Sequence, residues 1–146
     1  MDYLIQVITL SVTDVDKAAA FYTRRAGFTL DVDYHPAPGF RVVQLTPPGS
    51  ACSIQFGTGL TGADPGSARA TCLAVTDIEA ARRELTARGV TVGPIRRKSP
   101  AGDWTGGFAP GTDPERRDYA SFADFADPDG NTWVIQEIGY RPGRTP

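Results

Sequence analysis

Leu10-Ser11-Val12-Thr13-Asp14-Val15-Asp16 is a stretch that returns 63 residues later as Leu73-Ala74-Val75-Thr76-Asp77-Ile78-Glu79. The match continues into the following residues, and after a gap of one position Gly27 corresponds to Gly89 at an offset of 62. Similarity at a nearly constant offset indicates two copies of one supersecondary unit. The chain is therefore expected to fold as a tandem repeat.

Each copy begins with a strand and a helix. The extended runs are Ile5 to Val12 and Ala70 to Val75. The Thr-Asp pair that follows is a helix N-cap signal, and Thr13 with Asp16, like Thr76 with Glu79, has capping-box spacing. Apolar residues then recur at helical spacing. Gly27 and Gly89 are placed to end the helices, because glycine adopts the left-handed C-terminal conformation at low cost.

Three more strands complete each copy. The first is expected over Phe28 to Asp33 in one copy and over Val90 to Ile95 in the other. Thr46-Pro47-Pro48-Gly49 and Asp127-Pro128-Asp129-Gly130, related by an offset of 81, each predict a tight turn between the last two strands. The fold class is therefore α+β, with two βαβββ modules in tandem.

The second copy contains an insertion, since the offset grows from 62 to 81. The segment Gly93 to Asp118 holds nine glycines and prolines, together with Trp104 and Phe108. Loops of this length are often lids or binding loops, and a mobile surface loop is the alternative. Arg96-Arg97-Lys98 is interpreted as a solvated basic patch, with an anion site as the alternative. Asp113, Glu115, Arg116, Arg117 and Asp118 are interpreted as a loop of mutually paired charges that are worth little individually.

Composition excludes several classes of function. One histidine and two cysteines among 146 residues argue against zinc fingers, zinc ribbons and histidine-rich catalytic centres. A formal charge of −2 argues against a nucleic-acid or membrane partner. No secretory signal or nucleotide-binding motif is visible, so we expect a cytoplasmic protein with reduced Cys52 and Cys72.

These features together resemble the vicinal oxygen chelate superfamily, which includes glyoxalase I, bleomycin-resistance proteins and extradiol dioxygenases. The resemblance is carried by the two modules, their Val-Thr-Asp strand exits, Phe21-Tyr22 in the first helix and the Asp127 to Asn131 turn. It implies one domain over 1–146: module one at about 4–57, a linker at 58–68, module two at about 69–138 with a long loop at 93–118, and a tail at 139–146. It also implies cup-shaped modules that enclose a small-molecule cavity, and a homodimer.

Metalloenzymes of the superfamily place four ligands on inner strand faces. The corresponding positions here are Val7, Ser53, Ala70 and Val134. Hydrocarbon side chains and one serine hydroxyl cannot hold a divalent ion. The resemblance therefore implies a protein without this metal and without another cofactor.

Strand alternation from these positions predicts the lining of the cavity. With the lid aromatics, the candidate ligand-binding residues are Val7, Thr9, Ser11, Ser53, Gln55, Ala70, Cys72, Trp104, Phe108, Val134 and Gln136. The paired glutamines Gln55 and Gln136 serve either ligand recognition or interior hydrogen bonding. Candidate acids or bases are His35, in a loop, and Tyr119 and Asp124, on the strand before the last turn.

Two functions follow from this interpretation. The first is a metal-free protein that binds or sequesters an aromatic or amphipathic metabolite or antibiotic, as bleomycin-resistance members do. The alternative is a metal-independent isomerase, cyclase or lyase on the same scaffold. A third possibility is a regulatory or scaffolding protein whose cavity is filled by its own side chains.

Overall fold

The computed structural model describes residues 1–103 and 105–145, so the predicted ligand residue Trp104 lies outside the described part. Nine strands and two short helices, the first extended by a π-helical turn, make up these residues. The strands are β1 Val7–Thr9, β2 Thr29–Ala37, β3 Phe40–Thr46, β4 Ser53–Thr58, β5 Thr71–Val75, β6 Arg96–Ser99, β7 Gly107–Pro110, β8 Ser121–Ala126 and β9 Thr132–Glu137. The helices are α1 Val15–Ala20, continued by the π-helical turn Phe21–Arg25, and α2 Ile78–Ala87. None of the described helices is long and apolar enough to cross a membrane.

Two compact units divide the chain. Unit one comprises Met1–Arg69 with Ala126–Asn131, and unit two comprises Ala70–Phe125 with Thr132–Pro146. The sheet of unit one has the order β1-β4-β3-β2, and the sheet of unit two has the order β5-β9-β8-β6-β7. In both sheets the first two strands in this order are parallel. The α+β class with two curved mixed sheets is therefore confirmed.

The first residue of each helix is set by an aspartate rather than by the predicted Thr capping box. Asp14 accepts a hydrogen bond from the Lys17 backbone N–H (3.0 Å), and Asp77 accepts one from that of Ala80 (3.0 Å). Thr13 instead donates its hydroxyl to Asp129 (2.6 Å). The prediction chose the cap one residue too early, because threonine and aspartate side chains are both good caps and adjacent in sequence.

Both helices end where the glycines predict. Gly27 and Gly89 have φ values of 80° and 90°, in the left-handed region that favours glycine. Before Gly27 the backbone widens to a π-helical turn, in which the Ala26 N–H donates to the Phe21 carbonyl (2.9 Å). Phe21 and Tyr22 are both buried in this turn.

The two predicted turns differ in register. In the first, Ser50 N–H donates to the Pro47 carbonyl (3.0 Å), so Gly49 is a central turn residue with φ 79°. In the second, Gly130 N–H donates to the Asp127 carbonyl (3.0 Å), so Gly130 follows the two central residues. The equivalent glycines Gly49 and Gly130 therefore occupy different positions in their turns, and the alignment of the repeats does not show this difference.

The strand predicted over Val90 to Ile95 is wrong. That segment forms no strand, and Arg82 donates to the Gly93 carbonyl (2.8 Å) and the Val92 carbonyl (3.3 Å). The strand that follows α2 is β6, which pairs with β7 as an antiparallel hairpin. The inserted segment 93–118 is thus not a long structureless loop, since it adds β7 as an extra edge strand to the second sheet.

The Asp127 to Asn131 turn is tied into unit one by a buried network. Asp127 Oδ2 accepts hydrogen bonds from the Tyr22 hydroxyl (2.8 Å) and from Asn131 Nδ2 (2.8 Å). Asn131 also donates to the Ser11 carbonyl (3.0 Å) and accepts from the Ala68 N–H (3.1 Å). Buried polar groups are stable only when bonded in this way. The side chains of Asp127 and Asn131 are therefore used in hydrogen bonds that hold the fold.

The charged segment near residue 115 is not a set of loop charges paired only with one another. Arg117 does pair within it, with Asp113 (3.1 Å) and Glu115. Arg116, in contrast, donates to both carboxylate oxygens of Glu137 (2.8 and 2.6 Å), whose side chain is 0% exposed. The Arg116 backbone has a φ of 50°, and the guanidinium carbon lies 3.6 Å from the Tyr140 ring centre. The side chain is therefore held over the end of β9. Sequence reasoning missed this pair because the partner lies 21 residues away.

Candidate functional site

Each sheet has one face that packs into a core and one face that is open. In unit one the buried residues Val43, Leu45, Ile54 and Phe56 alternate with less buried neighbours along β3 and β4. In unit two Ala123, Phe125, Trp133 and Ile135 do the same along β8 and β9. We call the other sides the open face of unit one and the open face of unit two. The candidate ligand residues on strands β1, β4, β5, β7 and β9 belong to these open faces.

Four candidates are neighbours on the open face of unit one. Val7 pairs with Ser53 and Thr9 pairs with Gln55 in the parallel register of β1 and β4. Gln55 donates its amide N–H to the Thr9 hydroxyl (2.9 Å), and Ser53 shares a hydrogen bond with Thr46 (2.7 Å). The result is a short polar ladder beside small apolar side chains.

Sequence reasoning missed three further side chains of this face. Gln44 stands opposite Gln55, while Val32 and Tyr34 pair with Gln44 and Val42 across β2 and β3. Tyr34 is 57% exposed, an unusual position for an aromatic ring on a sheet. The available signal for Gln44 was a glutamine within the otherwise apolar run 42–45 of β3. Tyr34 was not identified as a residue of this face because the strand was expected to end at Asp33.

His35 lies on β2 rather than in the predicted loop. Two residues before it, Asp33 is held by Arg41 through bonds of 3.0 and 2.9 Å, and Arg41 also bonds Asp16 on α1 (2.8 Å). The hydrogen bond from Arg41 lowers the pKa of Asp33, and the nearby His35 adds a smaller contribution in the same direction. The β2–β3 register shifts between Tyr34 and Ala37, so strand alternation does not define the direction of the His35 side chain.

Unit two brings a second set of candidates together. Cys72 pairs with Val134, Ala74 pairs with Gln136, and the Cys72 thiol lies 3.7 Å from the Gln136 carbonyl oxygen, to which it donates. Burial raises the pKa of the Cys72 thiol. This raised pKa favours the neutral thiol over the nucleophilic thiolate at neutral pH.

Two candidates stand outside the strands. Ser11 follows β1 and donates its hydroxyl to the Ala63 carbonyl (2.8 Å). Ala70 precedes β5 with a φ of 56°, and its N–H donates to the Thr132 hydroxyl (2.7 Å). Strand alternation therefore does not define the direction of either side chain, and their assignment to the cavity rests on the sequence prediction alone.

Phe108 belongs to an aromatic and cationic cluster on β6, β7 and β8. Its ring meets that of Phe122 edge to face, with 5.8 Å between ring centres. The Arg96 guanidinium lies 5.1 and 5.6 Å from the Phe108 and Phe122 ring centres, and the Lys98 ammonium lies 4.7 and 5.7 Å from them. The interpretation of Arg96 and Lys98 as merely solvated is therefore wrong. Phe122 had no sequence signal, because only the β6–β8 register brings it beside Arg96.

Asp124 joins this cluster, whereas Tyr119 does not. Asp124 alternates with the buried Ala123 and Phe125, and it accepts two bonds from Arg96 (2.6 and 3.2 Å). Tyr119 precedes β8 instead of lying on it, has a φ of 65°, and donates its backbone N–H to the Glu137 carbonyl (2.9 Å). Of the three acid–base candidates, Asp124 alone is therefore placed on an open face.

The side chains at the superfamily's metal positions do not fit a divalent ion. Val7 lies beside Ser53, and Val134 lies beside Cys72. The Ser53 hydroxyl is already bonded to Thr46, and the other three metal positions, Val7, Ala70 and Val134, carry hydrocarbon side chains. Within residues 1–103 and 105–145 no group of three His, Cys, Asp or Glu side chains is arranged to hold a metal. Divalent ions require several oxygen, nitrogen or thiolate ligands at once.

Two surface clefts of unit two lie away from the predicted ligand residues. Their volumes are about 540 and 470 Å³. Glu79 and Thr112 line both clefts, and Glu79 accepts a hydrogen bond from Thr112 (2.8 Å). Both are open grooves beside α2, the larger lined mainly by polar surface and the smaller mainly by apolar surface. They differ from the enclosed pockets that bind small organic ligands.

Comparison with known proteins identifies the family. Residues 4–135 match the model of the Glyoxalase/Bleomycin resistance protein/Dioxygenase superfamily. TnmS3, an antibiotic binding protein from Streptomyces sp. CB03234, is 28% identical with a TM-score of 0.69, over 93% of this chain and 96% of that one. A superfamily member from Sphaerobacter thermophilus DSM 20745 is 28% identical with a TM-score of 0.66, over 94% and 98%. No curated protein matches the sequence. The chain therefore belongs to the glyoxalase/bleomycin resistance protein/dioxygenase superfamily.

Proposed function

We propose that the protein binds or sequesters an aromatic or amphipathic small molecule, a metabolite or an antibiotic, without a divalent metal. The main support for this proposal is the residue composition of the two open faces. Small apolar side chains and one serine hydroxyl stand where metalloenzymes of the superfamily keep their ligands, and the amides of Gln55 and Gln136 follow on the same strand faces. Such a surface suits an organic molecule with a few polar groups.

The similar structures support a binding function. TnmS3 is described as an antibiotic binding protein, and it matches this chain over nearly the whole length of both. The hydrogen bond from Gln55 to Thr9 and the contact of Cys72 with Gln136 add polar groups that can be redirected to a ligand. We further propose that the protein works in the cytoplasm as a homodimer, where the free Cys52 and Cys72 stay reduced.

Native mass spectrometry of the protein purified from its own host tests these proposals together. The expected spectrum shows a dimer that carries an organic molecule of a few hundred daltons, and elemental analysis of the same sample shows no stoichiometric divalent metal. A metal bound one to one would overturn the metal-free proposal. A protein that stays empty with a panel of aromatic compounds would instead support a scaffolding role.

A metal-independent isomerase, cyclase or lyase is the second candidate, and the position of Asp124 favours it. This carboxylate stands on the open face of unit two, where it could accept a proton from a ligand. Both of its carboxylate oxygens accept hydrogen bonds from Arg96 (2.6 and 3.2 Å). His35 and Tyr119 remain candidates with less support, because the strand registers place neither side chain on an open face.

Turnover separates the two functions. The compound identified by mass spectrometry would be incubated with the protein and recovered for chemical analysis. A changed compound, together with loss of that change in Asp124→Asn, would establish the enzyme and reject sequestration as the main function. Recovery of the unchanged compound supports binding.

A further inference from the structure

We propose that the bound molecule is an organic cation, a protonated amine with an aromatic body, that Asp31 binds its ammonium group, and that its ring packs against Tyr34. This inference deepens the proposed function and rests on it. The observations behind it are the distribution of charge on the strands of unit one and the positions of Asp31 and Tyr34 on its open face.

Asp31 reaches the open face of unit one through a bulge in β2. The β2–β3 register shifts between Leu30 and Val32, so Asp31 is an extra residue there, and a bulge of this kind redirects a side chain. The Asp31 carboxylate accepts a hydrogen bond from the Thr46 hydroxyl. Because that hydroxyl has a single hydrogen, the bond between Thr46 and the buried Ser53 (2.7 Å) is donated by Ser53. The serine and threonine therefore hold the carboxylate in place, while Asp31 itself stays exposed.

The negative charge of Asp31 is not balanced by a basic residue. Within residues 1–103 and 105–145 no ion pair includes Asp31. Strands β1 to β4 carry two basic residues, Arg41 and His35. Arg41 pairs with Asp33 (2.9 Å) and with Asp16 on α1 (2.8 Å), and His35 acts on Asp33. Asp31 is therefore left as a negative charge on the sheet, which favours a cationic ligand.

Tyr34 supplies an aromatic surface on the same face. It is 57% exposed and pairs with Val42, and Gly57 on the far side of Val42 has no side chain that could cover the ring. Val42, beside Tyr34, and Thr46, beside Asp31, are about 13 Å apart along β3, since each strand residue adds about 3.3 Å. A fused aromatic ring with a short amine chain is of similar length.

Two amides lie between Asp31 and Tyr34 on this face. Gln44 stands opposite Gln55 in the register of β3 and β4. Gln55 donates its amide N–H to Thr9 (2.9 Å), which leaves its carbonyl oxygen as an acceptor. The Gln44 side chain forms no hydrogen bond with another described residue. An ammonium group carries several N–H donors and no acceptor, so the oxygens of this face complement it.

Naphthylethylamine and naphthylethanol test the inference because they share the ring and the chain and differ in charge at pH 7. Titration calorimetry at low salt would measure both affinities for the unmodified protein. The amine is expected to bind up to about fivefold more tightly, the size of an exposed ion pair. Its affinity is expected to fall as salt is added, whereas that of the alcohol stays constant.

Four variants locate the effect. Asp31→Asn should remove the preference for the amine and its salt dependence. Asp33→Asn, the matched control on the same strand, should retain both, because Asp33 is paired with Arg41. Tyr34→Leu should weaken the binding of both compounds. Gln44→Glu should strengthen amine binding about twofold to fivefold, a gain that an unfolded variant cannot produce.

The outcomes separate the two proposals. A preference for the amine that depends on Asp31 supports the inference. Equal binding of both compounds, or a preference that survives Asp31→Asn, overturns it and leaves the proposed binding function intact; Asp31 would then serve only to protect the edge strand β2 from pairing, as charges on edge strands do. If neither compound binds even at millimolar concentration, the inference is rejected, and native mass spectrometry still decides the proposed function.

Discussion

Replacement of Arg116 by methionine should destabilise the protein more than any other single arginine change in its charged segment. Arg116 makes two bonds to the fully buried Glu137, at 2.8 and 2.6 Å, and one to Asp77 at 3.2 Å. Without it, the Glu137 carboxylate keeps the Ile78 N–H (2.9 Å) but loses its counter-charge. Removal of one partner from a buried pair costs about 3–5 kcal/mol.

Urea unfolding at pH 7, followed by circular dichroism, measures this cost. With a slope of about 2 kcal/mol per molar urea, the midpoint should fall by about 1.5–2.5 M. Arg117→Met is the matched control in the neighbouring position. Its side chain is 43% exposed, and Asp113 keeps the bond from the Arg117 backbone N–H, so its cost should not exceed about 1 kcal/mol.

A double variant tests the physical reason for the loss. Glu137→Gln removes the buried charge but retains a side-chain oxygen for the Ile78 N–H. Added to Arg116→Met, it should restore about 2 kcal/mol, because the uncompensated charge is the main cost. If Arg116→Met costs no more than Arg117→Met, or if the second substitution restores nothing, the buried pair does not stabilise the fold as argued.

Three further predictions use the same unfolding assay. Gly57→Ala should destabilise the protein by several kcal/mol or prevent folding, because the new Cβ would lie 1.7 Å from the Arg41 carbonyl oxygen. Gly49→Ala is the control: it is constrained only by its positive φ and should cost about 1 kcal/mol. Tyr22→Phe should cost about 1–2 kcal/mol by removing a buried donor to Asp127, and no loss would mean that this bond contributes nothing net. The hydrogen bond from the Ala80 N–H, helped by Arg116, lowers the pKa of Asp77. The ionised Asp77 therefore contributes its full stability above pH of about 4, and this stability is lost as pH falls through the lowered pKa. Asp77→Asn should flatten the fall of the unfolding free energy at acid pH, and an unchanged pH dependence would contradict the assignment.

The repeat was the most informative sequence feature for the fold. The equivalence of Asp14 with Asp77 and of Gly27 with Gly89 predicted both helices and their ends, because caps and left-handed glycines act locally. The strand after α2 was misplaced, since Val90 to Ile95 is apolar enough for a strand but its carbonyls bond the Arg82 side chain. Strand pairing in the insertion depends on residues distant in sequence, and local patterns do not report it.

The candidate site shows the same limit. Alternation from the four metal-ligand positions predicted that Thr9, Gln55, Cys72 and Gln136 share faces with their neighbours, and the registers of the parallel strand pairs agree. The cluster of Arg96, Lys98, Phe108 and Phe122 was not predicted, since three strands must align before these side chains meet. His35 was assigned to a loop because prolines follow it, although β2 continues to Ala37.

The sequence by itself determined the tandem α+β architecture, the superfamily, and the absence of metal-ligating side chain types from Val7, Ala70 and Val134. Those features depend on residue type and on the spacing of residues, which are local properties of the chain. Tertiary structure alone decided the partners of the charged groups: Glu137 with Arg116, and Asp124 with Arg96. The physical reason is that an ion pair depends on the distance between charges in space, and the folded backbone sets that distance for residues far apart in sequence.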